Sequence, residues 1–109
     1  MPVEKGDVLD ESKKADQSCR VAVRVLEGGA GFAKMNCCGM EITEAERADS
    51  VDESVERFAG DSAKPGTIID ESKNNPNSCG LKIEIVGGGG GFESITCCGN
   101  TLTVEEDAV

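Results

Sequence analysis

Val21, Val23 and Val25 alternate with Ala22 and Arg24, and Leu81, Ile83 and Ile85 alternate with Lys82 and Glu84. Period-two alternation of aliphatic residues predicts a strand with one face buried. A glycine-rich run follows each strand, at 28–31 and 87–91. Glycine adopts positive φ at little cost, so both runs read as hairpin turns. A second short strand is expected from Phe32 or Phe92 into a Cys-Cys pair, and a third across 40–43 and 100–103. The five-glycine run does not read as a phosphate loop, because no Lys-Ser or Lys-Thr follows it and no helical period opens there.

The two sets of strands are one pattern written twice. Shifted by 60 residues, the chain falls onto itself without a gap, and 15 of the 38 positions from 6 to 43 are identical. Eight more exchange one aliphatic residue for another, as Val23 with Ile83 and Ile42 with Leu102. Such a register marks a duplication. The fold expected is mainly β: two tandem β-hairpin or ribbon modules, 1–45 and 64–109, in a pseudo-twofold arrangement. Between them, 46–63 reads as an acidic linker with a short helix. Ser50-Val51-Asp52-Glu53 resembles a capping box, Val51, Val55 and Phe58 share one helical face, and Gly60 stands where a helix would end. The alternative is an acidic linker without regular structure.

Composition changes the picture in one respect. Modules of roughly 45 residues bury too little apolar surface to be stable alone, and usually need a metal, disulfides or a partner. This chain has three Phe and no Trp, Tyr or His, so a staple is needed all the more. The net charge of −10, from 11 basic and 21 acidic residues, excludes nucleic acid and anionic membrane surfaces as expected partners. It serves solubility, and it would also suit a high-salt cytoplasm that screens self-repulsion. The start, Met1-Pro2-Val3-Glu4-Lys5, lacks the apolar core of a signal peptide, and no run approaches the roughly 18 apolar residues of a membrane span. The expected compartment is the cytoplasm, where thiols stay reduced and cysteines lean towards metal binding or catalysis.

Each copy holds one Cys, seventeen residues, then Cys-Cys-Gly: Cys19 with Cys37 and Cys38, and Cys79 with Cys97 and Cys98. Three readings compete. Six cysteines could pair as disulfides, although a bridge between sequence neighbours on a strand would be strained. They could be small buried hydrophobes. Or they could ligate metal, since thiolates bind zinc and iron strongly. For the last, the chain must bend between or just after the paired cysteines, and Gly39 and Gly99 permit that bend.

Gly6-Asp7-Val8, Cys19, Val23-Arg24-Val25-Leu26-Glu27-Gly28-Gly29 and Cys37-Cys38-Gly39 together resemble desulforedoxin and the matching N-terminal domain of desulfoferrodoxin. The resemblance spans nearly all of each copy. It implies a small β fold that, as in rubredoxin, holds one iron by four Cys sulfurs. Desulforedoxin is a two-chain dimer, which two copies in one chain could mimic as an internal pseudo-dimer. Arg24 and Glu84 would then occupy equivalent positions at the junction. The family opens with Cys-x-x-Cys, whereas this chain keeps only the second of those, Cys19 and Cys79. The first would fall near Glu11 and Glu71, inside Asp10-Glu11-Ser12-Lys13 and Asp70-Glu71-Ser72-Lys73. Each site is therefore one sulfur short.

A carboxylate from Asp10, Glu11, Asp70 or Glu71 could supply the fourth ligand to iron or zinc. The same strings also read as solvated, capped turns. Water or an outside ligand could complete the site instead, or the site could be lost and only the scaffold kept. Three functions follow: an electron carrier on iron–thiolate centres serving a redox partner, a zinc-stapled binding module for a protein partner, or an enzyme at an open iron. The last ranks lowest, because in desulfoferrodoxin such activity belongs to a His-rich domain and this chain has no His. A disulfide-stabilised scaffold without metal remains the further alternative.

Overall fold

In the computed structural model, residues 3–13, 20–58, 60, 63–78 and 80–109 are described. The protein is mainly β, as the alternation predicts. Strands β1 (Val8–Asp10), β2 (Ala22–Glu27), β3 (Phe32–Cys37), β4 (Met40–Ile42) and β5 (Arg47–Ala48) come from the first copy and the residues just after it. Strands β6 (Ile68–Asp70), β7 (Lys82–Gly87), β8 (Phe92–Cys97) and β9 (Asn100–Leu102) come from the second, followed by a short α-helix, α1 (Val104–Asp107).

The strands form two antiparallel sheets, in the orders β5-β1-β2-β7-β6 and β4-β3-β8-β9. Both sheets draw on both copies, which meet along β2·β7 and β3·β8. The registers there are informative. Arg24 lies opposite Glu84, and Met35 lies opposite Ile95. Each pair consists of residues 60 apart, so equivalent positions face each other at both junctions. Antiparallel pairing of equivalent residues is the register that a twofold relation between the copies demands.

Alternation decides what is buried. Val23, Val25, Ile83 and Ile85 point inward, while Arg24 is exposed. Leu9 and Ile69 from the first sheet, and Met35, Ile42, Ile95 and Leu102 from the second, join them in one hydrophobic cluster with Phe32 and Phe92. Apolar side chains of two sheet faces thus share one core between them.

Two expectations change. The glycine runs are not the turns of hairpins, because β2 pairs with β1 and β7 while β3 pairs with β4 and β8. Each run carries the chain from one sheet to the other, and the true hairpins are β3–β4 and β8–β9. The helix expected in 46–63 is also absent among the described residues. Arg47 and Ala48 instead extend the first sheet by pairing with β1. Further on, the Asp52 carboxylate accepts hydrogen bonds from the Ser54 N–H (3.0 Å) and hydroxyl (2.6 Å), a local turn that competes with helix. The Asp52 carbonyl accepts from Arg57 (3.0 Å). A helix this short gains little by itself, so these local bonds win. A capping box forms seven residues earlier in the chain: Thr43 Oγ1 accepts from the Ala45 N–H, and Glu46 accepts from the Thr43 N–H (2.8 Å).

Candidate metal centres

The paired cysteines sit at the tips of the two hairpins. Cys37 lies opposite Met40 and Cys97 opposite Asn100, so Cys38-Gly39 and Cys98-Gly99 are two-residue turns. Their φ angles are 54° and 74° in the first, 53° and 76° in the second. A type I′ turn requires positive φ at both positions, and its twist matches the strands it joins. Glycine accepts this freely at the second position; cysteine accepts it at the first at some cost.

That turn brings neighbouring sulfurs together. On a straight strand they would point to opposite faces. Here Cys37 Sγ and Cys38 Sγ are 3.9 Å apart, and Cys97 Sγ and Cys98 Sγ 4.0 Å. A metal–sulfur bond of about 2.3 Å in a tetrahedral site sets sulfurs about 3.8 Å apart. A disulfide would need about 2.05 Å. The spacing within each pair therefore fits two ligands of one ion. Cys37 and Cys97 are buried, and Cys38 and Cys98 are exposed.

A carboxylate reaches each pair from the other sheet. Glu11 follows β1, and its N–H donates to the Val21 carbonyl (2.9 Å) as a continuation of the β1·β2 ladder. Its Oε1 accepts from the Val21 N–H (3.3 Å). Glu71 repeats this with Leu81, at 2.8 and 3.3 Å. Both glutamates are 0% exposed. Glu11, Cys37 and Cys38 place their ligating atoms within 4.8 Å of one another, and Glu71, Cys97 and Cys98 do the same. When ionised, three groups this close repel one another, more strongly for the two that are buried, and a cation among them offsets that repulsion. The donor set of sulfur plus carboxylate oxygen suits zinc or iron.

The other sequence candidates are placed differently. Asp10 forms a two-pronged pair with Arg57, Nη1 to Oδ1 and Nη2 to Oδ2, both at 2.8 Å. Burial pushes its carboxyl up, but hydrogen bonds from Arg57 and Ser12 outweigh it and hold Asp10 below the ordinary carboxylate value. Asp70 accepts from the Ser72 N–H (2.9 Å) and hydroxyl (2.7 Å). The pair of acidic residues thus divides: the aspartate shapes the turn and the glutamate joins the sulfurs. Cys19 and Cys79 lie outside the described residues. Ser78, next to Cys79 in the chain, lines a cleft of about 480 Å³ together with Asn74, Asn75, Cys98 and Asn100.

Each hairpin tip rests on the opposite copy. The Cys38 N–H donates to the Gly91 carbonyl (2.8 Å), and the Cys98 N–H to the Gly31 carbonyl (2.9 Å). A Cβ on Gly91 would fall on Cys38 Sγ, and one on Gly31 on Cys98 Sγ. This is why both glycines persist in both copies, and a comparison of the copies alone could not have said so.

Sequence reasoning passed over Arg57. Its side chain is 8% exposed, and besides Asp10 it donates to the Arg20 carbonyl (2.8 Å). It crosses Gly87, where a Cβ would strike its side chain; the first copy has Glu27 at that position. The only signal was that one glycine exchanged for Glu.

No family model, curated protein or solved structure matches this chain. No helix among the described residues is long and apolar enough to cross a membrane.

Proposed function

We propose that the protein is a small metal–thiolate protein holding one iron or zinc ion in each copy. The observation that carries this reading is the recurrence of one arrangement, Glu11-Cys37-Cys38 and Glu71-Cys97-Cys98, at ligand spacing in both copies, with the glutamate and the first cysteine buried and the second cysteine exposed. Side chains that served only as small hydrophobes would not need a buried carboxylate beside them. Each arrangement offers three donors, and Cys19 and Cys79 are the proposed fourth. Ser78 supports this for the second copy, since it shares a cleft with Cys98 and Cys79 is the next residue.

In this reading Glu11 and Glu71 stand in for the first cysteine of the desulforedoxin pattern, giving a Cys3Glu site. The copies take the place of the two chains of that dimer. Iron held this way would carry one electron at a potential set by its hydrogen bonds and exposure. The exposed Cys38 and Cys98 would be the edges facing a redox partner. Zinc would instead only staple the fold. The chain has no His to act as an acid or base beside the metal, so electron carriage fits better than catalysis.

Elemental analysis of anaerobically purified protein tests the reading. Two ions per chain are expected; a coloured protein that bleaches on reduction indicates iron, and a colourless one zinc. Cys38→Ser should reduce the content towards one ion and lower the Tm, because binding and folding are linked. A protein that carries neither metal, and takes up neither when supplied, overturns the proposal.

A further inference from the structure

We infer that Arg57 is a positioning residue of the first metal centre, and that the linker carrying it is a strap that slows release of that centre's ion; this rests on the metal reading above. The linker is tethered at places next to proposed ligands. Arg57 closes a fork on Asp10, with both bonds at 2.8 Å, and Asp10 is the residue before Glu11. Arg57 also donates to the Arg20 carbonyl (2.8 Å). The Arg20 side chain donates back to the Glu56 carbonyl (2.9 Å) and lies over the Phe58 ring, 5.7 Å from its centroid. Arg20 is the residue after Cys19. On the other side, the Gly90 N–H donates to the Phe58 carbonyl (3.0 Å), and the carbonyl of Gly91, the next residue, accepts from the Cys38 N–H (2.8 Å).

These bonds act behind the ligands, not on the ion. Glu11 is fixed by two hydrogen bonds with Val21, and Arg57 ties the residues that flank this contact, Asp10 on one side and Arg20 on the other. A planar guanidinium presents its donors in a fixed fork and can serve both; an ammonium on a flexible stem cannot hold the same geometry. Partners of this kind orient metal ligands, and their loss commonly weakens affinity about 10–100-fold. Charge alone would act the other way. Arg20 and Arg57 both bring positive charge to this corner, and like charge speeds the departure of a cation. Asp10 answers Arg57 within a pair whose side chains are 3% and 8% exposed. Orientation and charge therefore predict opposite effects of losing Arg57, which makes them separable.

Chelator-driven release of Co2+ from the loaded full-length chain, followed by loss of sulfur-to-cobalt charge-transfer absorption under anaerobic conditions, tests this. In Arg57→Lys, which keeps the charge and loses the fork, one ion should leave about tenfold faster or more, and the other at its wild-type rate. Adding Cys97→Ser should leave only the accelerated ion, and adding Cys37→Ser only the unchanged one. Asp10→Asn combined with Arg57→Met removes both charges, so no buried charge is stranded, and should still accelerate the same ion. Unchanged or slower release from the first centre in these variants overturns the inference. So does equal acceleration of both ions, the mark of a merely structural role. The metal reading survives either result. A wild-type chain that binds no Co2+ overturns the metal reading itself.

Discussion

Single residues here carry unequal duties despite identical surroundings in the sequence. Asp10 and Glu11 are adjacent, yet one pairs with Arg57 and the other lies beside two sulfurs. The Asp10 and Arg57 side chains are 3% and 8% exposed, so removing one partner strands the other's charge. Asp10→Asn should cost about 3–5 kcal/mol, read as a lower denaturant midpoint. The pH dependence has a definite sign. The Asp10 carboxyl is held below its ordinary 3.8, so the folded state binds its proton more weakly than the unfolded chain does. The stability from this pair is complete above that ordinary value and is lost as the pH falls through the folded one. In Asp10→Asn that part of the acid-induced loss should disappear. Equal acid sensitivity in both proteins would show that Asp10 is not the group responsible. None of this was legible from the sequence, because Arg57 lies 47 residues away in a segment that reads as helix.

At the scale of elements, the Cys-Cys-Gly tip joins local conformation to chemistry. Positive φ at Cys38 and Gly39 turns the chain and gathers the sulfurs in one step. An alanine at Gly39 meets no atom within 4 Å, so its effect is only backbone strain. Gly39→Ala should therefore cost roughly 1–2 kcal/mol. Gly91→Ala meets Cys38 Sγ and backbone, and should cost more. It should also change the rate at which Cys38, in the other copy, reacts with a thiol reagent. If Gly91→Ala unfolds at the same midpoint as Gly39→Ala and leaves Cys38 reactivity unchanged, the contact between the copies has no energetic weight. The bend after the paired cysteines could be read from Gly39 and Gly99. The short strands β1 and β6 could not, since three residues are too few to display a period.

The whole molecule is one core divided between two copies. Ile83 lies opposite Val25 across the β2·β7 junction and is 1% exposed. Ile83→Ala should lower stability by about 2–5 kcal/mol. Because the sheets continue through the junction, amide exchange in β1 and β6 should speed up together. Faster exchange confined to the second copy would mean that the copies fold as separate units. The same continuity explains the glycine runs: β2 and β3 each find a partner in the opposite copy, so the chain between them crosses from sheet to sheet instead of closing a hairpin.

Sequence alone determined the duplication, the strands around Val23 and Ile83, the fold class, and the selection of Asp10, Glu11, Asp70, Glu71 and the cysteines as candidates. Those are local or periodic properties, visible wherever alternation and repeated residues can be counted. Only the tertiary structure decided which acidic residue turns towards the sulfurs, which glycine supports which hairpin tip, and that the linker is held by Arg57. Each of those depends on contacts between residues distant in the chain, and no spacing along the chain encodes which side chain will meet another across a sheet.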